Sequence, residues 1–237
     1  MDDQTESTHT AILHAARELF YEEGIRTASM DGIAARAGVT KKTVYNHFRS
    51  KDDLVAAWLT ALDEEVRRRY AASLGPVGRP FEVRVHGLFA RLADLARDPR
   101  WKGCAFARAA NELAGLPGHP GVVAAKEHRR RFEAWFEEEL RADGLAESAR
   151  LARRLIILFD GAVTQCLLHH DPAYADEAGQ AATEMVSAAR EDARRVAPPA
   201  AARVRVPAAG GVHPGAGTNG HDLEAAGYSK MHAPVAP

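Results

Sequence analysis

The fold of this chain is decided by residues 27–54, which read TASMDGIAARAGVTKKTVYNHFRSKDDL. Apolar residues recur at helical spacing on both sides of Gly38-Val39, so the stretch predicts two short amphipathic helices joined by a tight turn. Gly38 supplies the backbone freedom that such a turn needs, and Thr40 is a suitable N-cap for the second helix. Val44 and Phe48 would then face inward, against the rest of the domain.

The exposed arc of the second helix has the composition of a helix that lies in the major groove of DNA. Lysine can donate to guanine, asparagine can pair with adenine, and the threonine methyl can contact thymine. Tyrosine and histidine suit phosphate oxygens, which position a helix without reading sequence. A surface helix pair with incidental lysines is the plain alternative. The residues predicted to contact DNA are Thr27, Thr40, Lys41, Lys42, Thr43, Tyr45, Asn46, His47 and Lys51.

Charge is concentrated in the same stretch. The whole chain has a formal net charge of −1, which by itself argues against a nucleic-acid partner. Residues 26–51, however, contain six basic residues and one acid, Asp31. DNA would meet this local patch rather than the total charge.

The rest of the chain, up to about residue 195, has helical periodicity and no strand alternation, which predicts an all-α fold. We expect a helix-turn-helix DNA-binding domain over residues 1–50, a larger helical domain over 51–195, and a disordered Pro/Gly/Ala-rich tail over 196–237. The predicted helices outside the opening stretch cover residues 8–23, 82–97, 104–114, 121–142, 147–170 and 173–194, with a further long helix that starts after Ser50 and ends before Gly75.

Composition excludes several classes of protein. Two cysteines are too few for a disulfide framework, and no apolar run reaches the roughly 20 residues that span a bilayer. The acidic N-terminus does not resemble a signal peptide, so we expect a cytoplasmic protein without a membrane partner. No phosphate loop, nucleophile elbow or metal-spaced His/Cys set is present, which predicts no enzymatic activity, no cofactor and no metal site.

The stretch 27–54 resembles the corresponding part of the TetR family of bacterial transcriptional regulators. The resemblance implies an all-helical protein with a three-helix DNA-binding head, a connecting fourth helix and a ligand-binding body that forms a homodimer through its two late helices. It rests on Thr27, Ile33-Ala34, Ala37-Gly38-Val39-Thr40, Thr43, Tyr45, His47-Phe48, Lys51 and Leu54.

The segment 147–170 independently favours a dimer. Its apolar residues cover too wide an arc for a helix that is buried on one side only. We therefore expect its own core to cover one side and a partner to cover the other. The alternative is a central helix of a monomer.

The resemblance also implies a small-molecule effector that moves the fourth helix and releases DNA. We predict a ligand-responsive repressor that binds double-stranded DNA and responds to a hydrophobic effector. The alternative is an effector-independent activator or nucleoid-associated protein, whose body would be filled. Plain core packing competes with ligand contact at each aromatic candidate, and Asp160 could instead pair with an arginine. The predicted ligand-binding residues are Trp58, Leu62, Trp101, Phe106, Asn111, Trp135, Phe159, Asp160 and Thr164.

Overall fold

The computed structural model describes residues 2–76 and 78–196, and within these ranges all regular secondary structure is helical. This confirms the predicted all-α fold. The predicted tail, 196–237, lies outside the described residues apart from its first residue. The helices are α1 (Asp2–Glu22), α2 (Met30–Arg36), α3 (Lys41–His47), α4 (Lys51–Ser73), α5 (Phe81–Ala96), α6 (Ala105–Glu112), α7 (Pro120–Ala142), α8 (Ser148–His169) and α9 (Ala173–Val196).

The first three helices form a head whose local structure follows from its caps and turns. Gly38 has a φ of +68° in the turn between α2 and α3, a conformation that disfavours residues with a Cβ. Ser29, rather than Thr27, caps α2, because its Oγ accepts a hydrogen bond from the Gly32 amide at 3.0 Å. The predicted helix-turn-helix is therefore confirmed at the level of its elements.

The helix α4 joins the head to the rest of the molecule. Ser50 caps it by accepting a hydrogen bond from the Asp53 amide at 3.0 Å. The first half of α4 buries Leu54, Trp58 and Leu62 in the core of the head. Phe106 of α6 belongs to the same core. The head is therefore packed against the body rather than merely tethered to it.

The body is built by the remaining helices, with α5 packed along α9 and α7 along α8. Phe132 of α7 is buried in its core, with its ring centroid 5.0 Å from that of Phe136 and 5.5 Å from that of Phe159. Tyr70, near the end of α4, lies 5.5 Å from Phe132 by the same measure. Aromatic pairs at these separations stabilise a core beyond the area they bury. The helix α4 thus enters both cores, as does α7, whose Ala125 lies in the core of the head.

The start of the first helix differs from the prediction. α1 begins at Asp2 and not at residue 8. The prediction missed this start because residues 2–7 include no apolar residue whose spacing could have indicated a helix there. No described helix has the length and apolar character needed to cross a membrane.

Candidate DNA-binding surface and body cavity

The helix α3 is held by its own N-cap and by two inward side chains. Oγ1 of Thr40 accepts a hydrogen bond from the Thr43 amide at 3.1 Å, and the two hydroxyl oxygens lie 2.8 Å apart. Val44 is fully buried, and Phe48 is nearly so. These contacts fix the rotation of α3, so that its opposite arc faces solvent.

That arc carries six of the nine side chains predicted to contact DNA, those between Lys41 and His47. Tyr45 is 45% exposed, so its side chain is accessible to a binding partner. Thr43 and His47 are half-buried at the edges of the arc. Exposed on it are Lys41, Lys42, Tyr45 and Asn46.

The start of α1 supports the end of α3, a contact that sequence patterns did not predict. The imidazole ring of His9 stacks on Phe48 with 4.9 Å between ring centroids, and lies 6.0 Å from the ring of His47. His9 is distant in sequence from His47 and Phe48, so only the folded chain brings it against them.

The structure corrects the size of the predicted positive patch. Arg36 pairs with Glu18 at 3.0 Å and with Glu22 at 3.3 Å, two acids of α1 that lie outside the window 26–51. Arg49 likewise pairs with Asp53 at 3.0 Å. The local charge that DNA would meet is therefore smaller than the count over residues 26–51 indicates.

The lysines of the patch differ in their surroundings. Lys41 Nζ lies 2.9 Å from Asp31 Oδ2, and this hydrogen bond raises the pKa of Lys41. Lys42 is exposed and forms no ion pair within the described part of the chain. Lys42 therefore offers an uncompensated charge on the outward face of α3.

Lys51 and Thr27 lie beside α3, at the start of α4 and before α2. The ammonium group of Lys51 donates to the Arg26 carbonyl at 3.0 Å, and burial lowers the pKa of Lys51. An ammonium group has three donors, so two remain for a phosphate oxygen. Thr27 is exposed, and its side chain takes no part in capping α2.

The body contacts the head through α6. Arg108 donates to the Tyr21 carbonyl at 2.7 Å and to Glu112 at 2.7 Å. Glu112 in turn accepts a hydrogen bond from the Arg26 amide at 3.1 Å. We call this set, Tyr21, Arg26, Arg108 and Glu112, the α6 clamp. It fixes the turn after α1 to the body.

Two Asp–His pairs join α4 to α7. Nε2 of His119 lies 3.0 Å from Asp52, while Nδ1 of His119 accepts a hydrogen bond from the Gly121 amide and so caps α7. Nδ1 of His128 lies 2.6 Å from Asp63, and both side chains are buried. The pairs occur at both the start and the middle of α4, so a shift of α7 would be transmitted to it.

Burial holds His128 in its neutral form. It lowers the pKa of His128 to about 4, although the hydrogen bond to Asp63 acts in the opposite direction. The imidazole also stacks on Phe106, with 3.6 Å between ring centroids and 5° between planes. At neutral pH the neutral His128 ring therefore donates a hydrogen bond from Nδ1 to the Asp63 carboxylate. The same ring packs on Phe106 as an aromatic residue.

A small cavity lies in the body beside these rings. Its volume is about 30 Å³, close to what a single water molecule occupies. No organic effector fits into this space without a movement of the walls. The lining includes four of the predicted ligand-binding residues, namely Leu62, Trp101, Phe106 and Phe159.

The other predicted ligand-binding residues lie outside the cavity wall. Trp58 is buried in the core of the head, where its ring packs 5.2 Å from that of Phe20. Trp135 stacks on Phe132 at 5.4 Å and packs against the body core. Both are at positions where ordinary core packing accounts for the aromatic ring.

Asp160 forms the intramolecular pair that the sequence left open. Its Oδ1 lies 2.6 Å from a guanidinium nitrogen of Arg129. Thr164, one turn later, is exposed and donates its hydroxyl proton to the Asp160 carbonyl at 2.9 Å.

Asn111 and Thr164 line an open groove between α6 and α8 with a volume of about 370 Å³. Cys104 and Val163 line both this groove and the cavity, so the two spaces are adjacent. The groove lies within the volume range of about 300–1,000 Å³ that is usual for ligand sites.

Sequence reasoning missed nine of the thirteen residues that line the cavity, among them Tyr70, Cys104, His128 and Arg129. Tyr70 continues the stripe of Leu62 and Val66 along α4, so helical spacing could have identified it. Arg129 lies within the basic run 129–131, which reads as a solvated surface, and nothing in the sequence distinguishes it from Arg130.

A groove of larger volume, about 740 Å³, lies between the start of α8 and the end of α9. None of the residues predicted to bind a ligand lines it. Its walls include Leu151 of α8 and Met185 of α9.

Comparison with known families matches both parts of the chain. Residues 12–58 match the family described as bacterial regulatory proteins, tetR family. Residues 119–191 match the family described as the tetracyclin repressor-like C-terminal domain.

Individual relatives agree with this assignment. The HTH-type transcriptional regulator UidR of Escherichia coli K12 is 37% identical over 70 residues, which are 30% of this chain and 36% of UidR. The chain therefore matches only about a third of the length of this curated relative. The HTH-type transcriptional regulator TtgR of Pseudomonas putida is 37% identical over 62 residues, which are 26% of this chain and 30% of TtgR.

Two solved structures match over the head and body together. SCO4454, a TetR-family transcriptional regulator from Streptomyces coelicolor, is 32% identical with a TM-score of 0.67, and the match covers 78% of this chain and 96% of SCO4454. A putative regulator of the same kind from Streptomyces avermitilis, sav143, is 28% identical with a TM-score of 0.65, covering 79% and 98%.

Proposed function

Because the chain belongs to the TetR family and is a DNA-binding transcriptional regulator, we propose that it represses its target genes as a homodimer and is released from DNA by a small molecule. The exposed arc of α3 carries this proposal. Its residues are arranged so that inward packing leaves Lys42, Tyr45 and Asn46 free to meet base edges and phosphates. The full set of DNA contacts that we propose is the nine residues predicted from the sequence.

The dimer is supported by an apolar stripe on α8. Ile157 is 66% exposed and Leu168 is 67% exposed, whereas the opposite face of α8 is buried in the body core. Gly161 and Thr164 lie between them on the same face. Exposed apolar surface at helical spacing is the signature of an interface, and Gly161 permits close approach of a second helix.

A homodimer would present two copies of α3 to DNA. Two such helices bind half-sites about one helical turn, or roughly 34–36 Å, apart. We therefore expect a palindromic operator. The effector would act by favouring an arrangement of the body that spoils this spacing, which is a shift between pre-existing conformations.

A second candidate is a regulator of the same fold that has no effector. The cavity of about 30 Å³ favours it, because this body is nearly filled. The adjacent groove of about 370 Å³ favours the effector-responsive protein. The two candidates differ in whether any small molecule changes operator affinity.

The decisive experiment starts from DNA. The purified chain is mixed with genomic fragments of its source organism, and the retained fragments are sequenced. We expect them to share a palindrome, and we expect the protein to bind it as a dimer in sedimentation and fluorescence anisotropy. Extracts and defined compounds are then added to the complex. Release of DNA supports the effector-responsive repressor, while unchanged affinity throughout supports the second candidate. Absence of any shared site would contradict operator binding.

A further inference from the structure

A guanidinium group lies at the boundary between the core cavity and the groove. Arg129 of α7 lines the cavity, and it donates to the sulfur of Cys104 at 3.4 Å. Cys104 lines both spaces. The Arg129 side chain is only 21% exposed, so its charge is held largely away from bulk water.

Arg129 has one acidic partner among the described residues, and the pair they form is not an aligned hydrogen bond. Its acidic partner is Asp160, at 2.6 Å, but Oδ1 of Asp160 is buried and makes no aligned hydrogen bond within the described part of the chain. Burial raises the pKa of Asp160 in spite of the neighbouring guanidinium. A guanidinium has five donors in a planar fork that fits a carboxylate with two parallel hydrogen bonds. Asp160 does not use this fork.

The surroundings of Arg129 are apolar on one side and basic on the other. The cavity wall next to it consists mainly of aromatic and aliphatic side chains, including Tyr70 and Phe159. In the groove, Lys102 is exposed and forms no ion pair among the described residues. The acid of the groove, Glu112, is already held in the α6 clamp. An anion entering from the groove would therefore meet the unpaired ammonium group of Lys102 first, and then the guanidinium of Arg129, whose single acidic partner it could replace.

We infer that the effector is an amphipathic carboxylate, whose acid group pairs with Arg129 in place of Asp160 and whose apolar part packs against the walls of the groove and cavity. This inference rests on the effector response proposed above and names its ligand class. Asp160 lies at the edge of the body with 39% of its side chain exposed, so it can turn to water when it is displaced. The displacement exchanges one carboxylate for another and leaves no buried charge unpaired.

The ligand class is tested with a matched series of probes and the full chain. 4-Phenylbutyrate, its amide and 4-phenylbutylammonium share their apolar part and differ in charge, and octanoate with octanamide repeats the comparison for an aliphatic chain. Binding is measured by calorimetry and by release of operator DNA. We expect the carboxylates to bind at least roughly tenfold more tightly than the amides or the ammonium.

Two variants separate ligand contact from a structural role, because they are expected to act in opposite directions. Arg129→Gln should weaken binding of the carboxylates roughly tenfold or more. Asp160→Asn removes the competing carboxylate and should strengthen their binding severalfold. A residue pair that only stabilises the fold would instead give weaker binding in both variants. Arg130→Gln is the control, because this neighbouring side chain is 70% exposed and pairs with Glu127; we expect no change in it.

The possible results separate the inference from the proposed function. Preferential binding of the ammonium, lost in Asp160→Asn, would overturn the carboxylate assignment and leave the effector response intact. Release of operator DNA by a neutral compound but by none of the carboxylates would also overturn the carboxylate assignment and leave the effector response intact. If no compound or extract releases DNA although the operator is bound, both the effector response and its ligand class fail.

Discussion

His128 connects the cavity to the helix that carries the DNA-binding head. One face of its ring stacks on Phe106, and its Nδ1 meets Asp63 of α4. Arg131 and Arg67 also contact Asp63, at 2.9 Å and 3.3 Å. A buried network of this kind is strong only while every member is satisfied. The protonation state of His128 should therefore influence the stability of the α4–α7 contact.

Acid should destabilise the protein through this residue. The pKa of His128 is about 4 in the folded chain and about 6.5 when unfolded, so protons bind preferentially to the unfolded state. The contribution of neutral His128 to the free energy of unfolding is fully present above about pH 6.5 and is lost as the pH falls towards about 4. At about pH 5 the loss amounts to roughly 2 kcal/mol. Asp63, whose pKa is lowered by His128 and Arg131 against the effect of burial, acts only below this range.

Urea unfolding at about pH 7.5 and about pH 5 measures the effect. His128→Asn keeps a donor towards Asp63 but does not titrate in this range, so its free energy of unfolding should fall less between the two pH values than that of the unsubstituted chain. His14→Asn, at a side chain that is 72% exposed, should behave like the parent. Equal losses in the parent and in His128→Asn would show that other groups govern the acid sensitivity.

Two side chains on the outward face of α3 should differ in what they contribute to DNA binding. Lys42→Ala removes an unpaired charge, so affinity should fall for all DNA sequences. The slope of log K against log salt concentration should become shallower by about one, because about one counterion fewer is released on binding. Asn46→Ala removes a bidentate partner of adenine, so the preference for the operator over altered sites should decrease by about 1–3 kcal/mol. Lys126→Ala, an exposed lysine on α7, is the control for charge alone. Anisotropy titrations at several salt concentrations report both quantities, and identical behaviour of the two variants would contradict this division of roles.

Residues differ in how well the sequence predicts them. Thr40, Val44 and Phe48 were predictable because capping and helical spacing are local properties. The pairing of Arg36 with Glu18 and Glu22 was not, because it depends on how α1 crosses α2. The same limit explains why Trp58 and Trp135, attractive as pocket residues, lie in ordinary cores, while His128 and Arg129 went unnoticed.

At the scale of helices, α8 has two apolar faces with different neighbours. One face, with Leu155 and Phe159, lies in the core of the body. The other exposes Ile157 and Leu168. The width of its apolar arc leads us to expect that α8 is covered on both sides. The side that faces away from the body is exposed in the single chain, and we expect a second copy of the chain to cover it. A monomer would leave this stripe in water.

Gly161 gives a sharp test of that stripe. A Cβ at Gly161 meets no atom within 4 Å, so a longer side chain is compatible with the fold of one chain. Replacing a helical glycine also favours the helix by up to about 1 kcal/mol. Gly161→Arg should therefore leave helicity and thermal stability of the monomer intact while it places a charge in the proposed interface and prevents dimer formation.

Sedimentation velocity and operator binding of Gly161→Arg are compared with those of Ala61→Arg, which adds the same charge to an exposed position of α4. The control should remain dimeric. A Gly161→Arg protein that still sediments as a dimer and binds the operator normally would rule out this face of α8 as the interface.

Helix positions were predictable to within a few residues, with the start of α1 as the main exception. Periodicity and breaks such as Gly75-Pro76 and Asp171-Pro172 determine where helices lie, and both are local. What local patterns do not determine is which helices share a core. Phe106 of α6 packs in the core of the head, and this contact depends on the tertiary fold. The predicted domain boundary at residue 50 therefore separates two stretches of sequence, but it does not separate two independently packed cores.

At the scale of the whole molecule, operator binding by the dimer that we propose depends on how firmly the body holds each head. Specific binding by a dimer requires both copies of α3 to meet their half-sites at once. Mobility of a head should therefore lower the affinity for the full palindrome, where two heads bind together, but not the affinity for an isolated half-site. In this chain the α6 clamp and the pair of His119 with Asp52 restrict that mobility. Neither contact touches the outward face of α3.

Loosening the clamp should therefore weaken binding to the full operator and spare binding to a half-site. Arg108→Ala removes the hydrogen bonds to the Tyr21 carbonyl and to Glu112, which corresponds to roughly 1–3 kcal/mol of local contact energy. We expect affinity for the palindrome to fall roughly fivefold to tenfold, while affinity for an isolated half-site stays within about twofold of the parent. Lys42→Ala provides the contrast, because a DNA contact is lost equally from both kinds of site. If Arg108→Ala weakened half-site and operator binding alike, the clamp would act on the reading helix itself, and the positioning role of α6 would have to be abandoned.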